Sequence, residues 1–126
     1  MGCRIDYGNR EGVLRAVVSG KSSLAYAAWM ARNIAEQAAG AAAECLLIDL
    51  RRLQDRVGTL RALLAEGDGP AGGTQRRIAV VDLSENDRYY VFSESAARSR
   101  GCELRRFDDF AAAMSWLRGE RDLPPT

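Results

Sequence analysis

The chain has 126 residues, a length typical of one domain that can bury a hydrophobic core without disulfides or metals. Eighteen Lys and Arg against seventeen Asp and Glu give a formal net charge of +1, which argues against a strongly basic nucleic-acid binder. Histidine is absent, which excludes imidazole chemistry in catalysis or metal binding. No apolar run approaches the roughly 20 residues of a membrane span, so we expect a soluble protein.

The cysteines and the N-terminal segment indicate a cytoplasmic protein. Cys3, Cys45 and Cys102 are odd in number and far apart, which favours neither a disulfide framework nor a zinc site. The polar N-terminal segment contains no apolar export signal. We therefore expect a reducing compartment, no metal and no cofactor.

The first forty residues predict a β-hairpin followed by a helix. Residues 4–7 and 13–18 are rich in β-formers and flank turn chemistry at 8–12. Ser22 or Ser23 can then cap a helix that runs to Gly40. Small apolar residues recur along this helix at helical spacing, so one face should pack on a sheet.

The rest of the chain alternates strands and helices. Apolar runs at 45–50 and 78–82 are typical of central parallel strands, and a fifth strand is predicted at 102–107. Helices are predicted at 59–66, capped by Thr59, and from Asp87 to 100. A last helix begins at Asp108 or Asp109 and ends before Gly119.

The predicted fold class is therefore α/β, with a small mixed, largely parallel sheet, an N-terminal hairpin and packed helices in the order β-β-α-β-α-β-α-β-α. We expect a single domain over residues 1–126, with its core at about 4–118 and a tail at 119–126. One shared core is predicted for Leu24, Ala28, Ala31, Ile34, Leu47, Val80, Phe92, Leu104 and Phe110.

Four segments carry a resemblance to a known superfamily. They are LIDLR at 47–51, RIAVV at 77–81, Arg100-Gly101, and Phe107 followed by AMSWL at 113–117. Together with the element order, they resemble the STAS domain superfamily and, within it, the bacterial SpoIIAA-like proteins, over about residues 4–118. The resemblance implies a protein that acts by binding: anti-sigma factor antagonists bind partner kinases, and other members are proposed to bind lipids or nucleotides.

The resemblance also implies a departure at the regulatory loop. Anti-sigma factor antagonists carry an Asp-Ser-Ser-Gly-like string after the third strand, where phosphorylation of the second serine disrupts partner binding. The aligned residues here are 55–58, and Arg56 and Val57 occupy the serine positions. We expect the usual phosphoacceptor to be missing. Thr59 is the nearest hydroxyl, but helix capping is its expected role.

Arginines crowd the segment after the strand at 45–50, where guanidinium groups could face a phosphate or a carboxylate. We expect the ligand- or partner-binding surface here, with a solvated surface of paired charges as the alternative. The surface comprises Asp49, Arg51, Arg52, Asp55, Arg56, Thr59 and Arg61.

Three function classes follow. The first is a non-enzymatic, STAS-like interaction or regulatory module with an unidentified protein partner. The second is a domain that binds a small lipid or nucleotide in a crevice at the strand ends, with the arginines as an anion clamp. The third is a metal-dependent enzyme that uses Asp49, Asp82 and Asp108, which all follow or end predicted strands.

The first helix offers a second contact surface. Tyr26, Trp29 and Met30 lie off its alanine-rich stripe, so we expect them to form an apolar face for a homodimer or a partner. Burial beneath a neighbouring element is the alternative.

Overall fold

The computed structural model describes residues 3–10, 12–21, 24–41, 44–54, 77–83 and 103–119. Its strands are β1 (Cys3–Arg10), β2 (Val13–Lys21), β3 (Cys45–Gln54), β4 (Arg77–Val81) and β5 (Glu103–Phe107). Its helices are α1 (Leu24–Ala41) and α2 (Phe110–Leu117). The predicted helices over 59–66 and from Asp87 to 100 lie outside the described residues, as does the predicted core residue Phe92.

The strands form one sheet in the order β1-β2-β3-β4-β5. The first pair is antiparallel and the other three pairs are parallel, so the predicted hairpin and largely parallel sheet are confirmed. The hairpin turns between the paired residues Arg10 and Val13, where Gly12 takes a φ of 79°. Glycine suits this left-handed conformation because it has no Cβ. The first strand thus continues through residues 8–10, which the sequence assigned to the turn.

One face of the sheet packs against α1. Met30, Ile34 and Ala38 follow one another at four-residue spacing along the helix and are fully buried. They join a cluster of side chains from four strands: Leu14, Ala16, Val18, Leu46, Ile48, Leu50, Leu53, Ile78, Val80 and Leu104.

The opposite face packs against α2. Asp109 caps this helix, since its carboxylate accepts a hydrogen bond of 2.8 Å from the backbone N–H of Ala112. Trp116 is buried 5.5 Å from the ring of Phe107, and the Arg77 guanidinium donates to the Trp116 carbonyl oxygen at 2.9 Å. The cluster also contains Val13, Leu47, Ala79, Val81, Ala113, Met114 and Leu117.

The prediction of one shared core is therefore wrong in its geometry. Ile34, Val80 and Leu104 lie on the α1 side of the sheet, whereas Leu47 and the partly buried Phe110 lie on the α2 side. Successive side chains of a strand point to opposite faces, so a sheet covered on both sides has two cores.

A β-bulge interrupts the pairing of β2 with β3. Val17 pairs with Asp49, but the next pair is Ser19 with Arg52, so Val18 faces two residues of β3. The extra residue shifts the alternation of β3, and Leu50 and Leu53 both reach the α1 cluster although they are three positions apart. The bulge thus lies next to Asp49, at the carboxyl-terminal half of the strand.

Among the helices of the described residues, none is both long enough and apolar enough to cross a membrane.

Candidate functional site

An arginine-lined depression lies on the α2 side of the sheet, at the bulge. Its lining consists of Arg15 and Val17 from β2 and of Asp49, Arg51 and Arg52 from β3, and its volume is about 480 Å³. We call it the arginine pocket. The described lining residues, with three guanidinium groups against one carboxylate, carry a formal charge of +2.

A bidentate ion pair organises one wall of the arginine pocket. The Nε and Nη2 atoms of Arg51 donate to Oδ1 and Oδ2 of Asp49 at 3.1 and 2.8 Å, and the Arg51 backbone N–H donates to Oδ1 at 3.1 Å. Burial alone would raise the pKa of the Asp49 carboxyl, but these hydrogen bonds and the charges of Arg51 and Arg52 lower it below its usual value. Asp49 is therefore ionised at neutral pH and holds Arg51 in place.

The bulge brings the neighbouring arginine to the same pocket. In a regular strand Arg51 and Arg52 would point to opposite faces of the sheet. Here the flanking Leu50 and Leu53 both point toward α1, and Arg51 and Arg52 are both exposed and both line the pocket. The two cations therefore act on one surface.

Arg15 completes the pocket from the adjacent strand, and the sequence analysis missed it. Its guanidinium carbon lies 5.2 Å from the centre of the Phe110 ring, within cation–π range. It also passes over Gly8, where an ideal Cβ would lie 3.5 Å from Nη2 of Arg15. The alternation of polar Arg15 with apolar Leu14 and Ala16 was the available signal, because it places Arg15 on the face opposite α1.

Of the predicted surface, the structure brings Asp49, Arg51 and Arg52 together. The other four members lie outside the described residues and stay predictions: Asp55, Arg56, Thr59 and Arg61.

The three strand-end aspartates do not gather into a metal site. Within the part of the chain that the structure describes, no three Asp, Glu or Cys side chains are placed to hold a metal ion. Asp49 binds Arg51, and the fully buried Asp82 accepts a hydrogen bond of 2.8 Å from the backbone N–H of Leu83. Arg106 donates to Asp108 at 2.8 Å and to the Asp82 carbonyl oxygen at 2.9 Å. The metal-enzyme alternative thus loses the cluster on which it depended.

A second depression of about 490 Å³ lies beside α1. Tyr7, Glu36 and Gln37 are among its lining residues, so its walls mix polar and apolar groups. The Tyr7 hydroxyl donates to the side-chain carbonyl of Asn33. Burial and, secondarily, the charge of Glu36 raise the pKa of Tyr7 to about 12. Neither depression is a continuous apolar cavity, the feature that would favour the lipid or nucleotide alternative.

The contact surface predicted on α1 is corrected at one position. Tyr26 and Trp29 are 40% and 45% exposed. Met30, by contrast, is fully buried in the core beneath α1, so its assignment to the exposed face is wrong. The reason is geometric: Met30 stands four residues before Ile34 and lies on the same side of the helix.

Comparisons with known proteins support the fold. The chain is similar to the crystal structure of an anti-sigma factor antagonist from Mycobacterium paratuberculosis, with a TM-score of 0.62 and 20% identity over 92% of this chain and 94% of that one. It is also similar to an uncharacterized DUF3478-family protein with a SpoIIAA-like fold from Shewanella loihica, with a TM-score of 0.58, 20% identity and the same coverage. No family model and no curated protein matches the sequence.

The architecture therefore defines a protein with the SpoIIAA-like α/β fold. The resemblance expected from the sequence is confirmed at the level of the fold. The complete order of nine elements is not, because two of the predicted helices lie outside the described residues.

Proposed function

We propose that this protein is a non-enzymatic, cytoplasmic regulatory module that binds a protein partner in the manner of an anti-sigma factor antagonist. The fold likeness to such an antagonist extends over 92% of the chain and supports this class. The described residues of the arginine pocket are suited to binding an anion or a carboxylate, because guanidinium groups donate hydrogen bonds in a fixed geometry.

The partner surface is the edge at the carboxyl-terminal end of β3. The observation that carries this assignment is the bulge, which turns Arg51 and Arg52 toward one surface beside Asp49. Asp55, Arg56, Thr59 and Arg61 follow directly in the sequence and extend the proposed surface. Arginine forks suit such a surface because they recognise carboxylates with fixed geometry.

Partner exchange at this surface does not use a phosphoserine. Arg56 and Val57 stand where the resembling antagonists have serines, and neither side chain accepts phosphate from a serine kinase. The hydroxyl of Thr59 is the nearest substitute, and we assign it to helix capping. Exchange is therefore governed by the concentration of the partner or by a ligand.

Affinity capture from the native host tests both parts of this proposal. Tagged wild-type protein should retain a stoichiometric partner that Arg52→Glu loses, because charge reversal repels an acidic surface. Arg32→Glu is the matched control, since Arg32 is exposed on α1, on the other side of the sheet. Thr59→Glu should retain the partner, and phosphate on Thr59 should be absent. Equal retention by all variants would refute the assignment of the partner surface to the end of β3. Loss of the partner with Thr59→Glu would show that phosphorylation at this loop can regulate binding.

A second contact surface on α1 is proposed for a second copy of the chain. Tyr26 and Trp29 are three positions apart and both exposed, so they share one side of the helix. Analytical ultracentrifugation should show a concentration-dependent dimer that Trp29→Ala weakens. A monomer at all concentrations would exclude this use of the helix.

A further inference from the structure

The arginine pocket contains two cations that no described carboxylate neutralises. The four ion pairs seen among the described residues use Arg4, Arg51, Arg77 and Arg106. Arg15 and Arg52 form no ion pair with any described residue, and the guanidinium of Arg15 lies against the Phe110 ring. Asp49 makes its hydrogen bonds to Arg51, and Arg52 acts on it only through its charge.

Two of the three cations have support in the structure before anything binds. The Phe110 ring lies against the guanidinium of Arg15, and the carboxylate of Asp49 fixes Arg51. The bulge places Arg52 on the same side of the sheet. Fixing a flexible arginine on binding costs conformational entropy, so the prior support of Arg15 and Arg51 lowers the cost of recruiting them.

We propose that the arginine pocket binds a phosphate monoester group. Such a group carries a charge of about −1.5 to −2 at neutral pH, which matches the formal charge of +2. Its oxygens accept paired N–H bonds from the planar guanidinium forks of Arg15 and Arg52. The volume of about 480 Å³ has room for the phosphate and a small substituent, for which Val17 offers an apolar wall.

Binding here would also explain how a partner is released without a phosphoserine. The pocket lies at the end of β3, immediately before residues 55–58. A bound phosphate monoester would add negative charge at the carboxyl-terminal half of β3, on the proposed partner surface. This regulatory step rests on the proposed function, whereas binding of the phosphate group does not.

Isothermal titration calorimetry with glycerol 3-phosphate and with inorganic phosphate tests the site directly. Wild-type protein should bind both probes, and Arg15→Gln and Arg52→Gln should each weaken binding by at least about tenfold, since each removes one charged hydrogen-bond donor group. Arg32→Gln removes the same charge from α1 and should bind as the wild type does. Circular dichroism and thermal melting establish that each variant is folded.

The pH dependence provides a second readout, because the charge of the probe changes with pH whereas that of the arginines does not. The second pKa of a phosphate monoester is about 6, so affinity should rise between pH 5 and 7.5 as the probe gains its second charge. The arginines do not titrate there, and Asp49 stays ionised because Arg51 holds its pKa low. A pH-independent affinity, equal weakening by Arg32→Gln, or no heat at about 10 mM probe would overturn the proposal.

Cosedimentation distinguishes the sources of the phosphate. Vesicles with phosphatidic acid present a monoester headgroup, and phosphatidylcholine vesicles present none. Binding to glycerol 3-phosphate without cosedimentation identifies a small soluble ligand, and cosedimentation that Arg52→Gln abolishes identifies a headgroup. Because none of these measurements contains the protein partner, capture of a partner with no phosphate binding refutes only the ligand, and the reverse result refutes only the partner.

Discussion

The guanidinium carbon of Arg15 lies 5.2 Å from the centre of the Phe110 ring, which joins β2 to the first residue of α2. The same side chain crosses Gly8 on β1, so one arginine spans three elements on this side of the sheet. The planar ring of residue 110 supports its guanidinium, and residue 8 has room for a Cβ at ordinary contact distance.

The first prediction contrasts two glycines of the hairpin. Gly8→Ala should leave the free energy of unfolding unchanged or raise it by about 0.5 kcal/mol, because the new Cβ makes an ordinary contact with Arg15 and alanine restricts the unfolded chain. Gly12→Ala should lower it by about 1 kcal/mol, because Gly12 has a φ of 79°. Urea denaturation measures both. Equal effects of the two substitutions would contradict the hairpin geometry.

The second prediction concerns Asp49 and pH. Asp49→Asn should lower the free energy of unfolding at pH 7 by about 1 kcal/mol, a value reduced for the partial exposure of Arg51. Because the folded-state pKa of Asp49 is lowered, this contribution is present above its unfolded pKa of about 3.9 and is lost as the pH falls through the folded value. The wild-type and variant unfolding curves should therefore converge at acidic pH.

Asp6→Asn is the control for that experiment. Asp6 pairs with Arg4 at 3.2 Å, but both side chains are largely exposed. Exposed pairs contribute little, so the change should stay within about 0.5 kcal/mol. A larger effect at Asp6 than at Asp49 would show that the less exposed Asp49–Arg51 pair is not the stronger one.

The third prediction tests the burial pattern of α1 with adjacent residues. Met30→Ala should lower the free energy of unfolding by about 2–5 kcal/mol, because it leaves a cavity beneath the helix. Trp29→Ala removes a larger side chain, yet it should cost less than about 1 kcal/mol in the monomer, since Trp29 is exposed. Thermal melts at a concentration that keeps the protein monomeric compare the two. The reverse order would mean that the helix is rotated about its axis.

The fourth prediction is a late tyrosine titration. Tyr7 should ionise at about pH 12, and Tyr7→Phe should remove this step from the alkaline absorbance titration. Since the folded pKa exceeds the unfolded value of about 10, the burial of neutral Tyr7 stabilises the fold below pH 10 and that contribution is lost as the pH rises through 12.

Glu36→Gln separates the two causes of the raised pKa. The substitution should lower the pKa of Tyr7, because it removes a nearby negative charge, but the pKa should stay above 10 since burial is the larger cause. An unchanged titration would mean that Glu36 does not act on Tyr7.

Sequence patterns predicted the strands better than their consequences. The apolar runs at 45–50 and 78–82 predicted the buried parallel strands that the structure shows at Cys45–Gln54 and Arg77–Val81, because such strands need apolar residues on both faces. When both faces of a strand are apolar, the sequence does not show which residue points to which face. One shared core was therefore predicted where the structure has two. On α1, the buried side was predicted from the spacing of the alanines. Met30 was therefore assigned to the exposed side, although it stands four residues before Ile34.

The sequence predicted the part of the arginine pocket that lies on β3 but not the part on β2. Arg51 and Arg52 are adjacent in the sequence, so a shared surface could be predicted for them. Arg15 reaches the same pocket only through the pairing of β2 with β3. The bulge left one trace, the spacing of three between Leu50 and Leu53, which a regular strand with one buried face would not show. A β-bulge is defined by the pairing of two strands. The periodicity of β3 alone therefore does not show that β3 contains one residue more than β2 at this point.

The placement of the two tryptophans gives the protein two distinct optical probes. Trp116 is enclosed between Phe107 and the guanidinium groups of Arg77 and Arg105, and Trp29 is open to solvent. Iodide should quench the emission of Trp29 and spare the blue-shifted emission of Trp116. In a Trp29→Phe variant the remaining tryptophan fluorescence reports only on the α2 side of the sheet, which carries the arginine pocket. Local loosening of that side can then be followed in real time and separately from global unfolding.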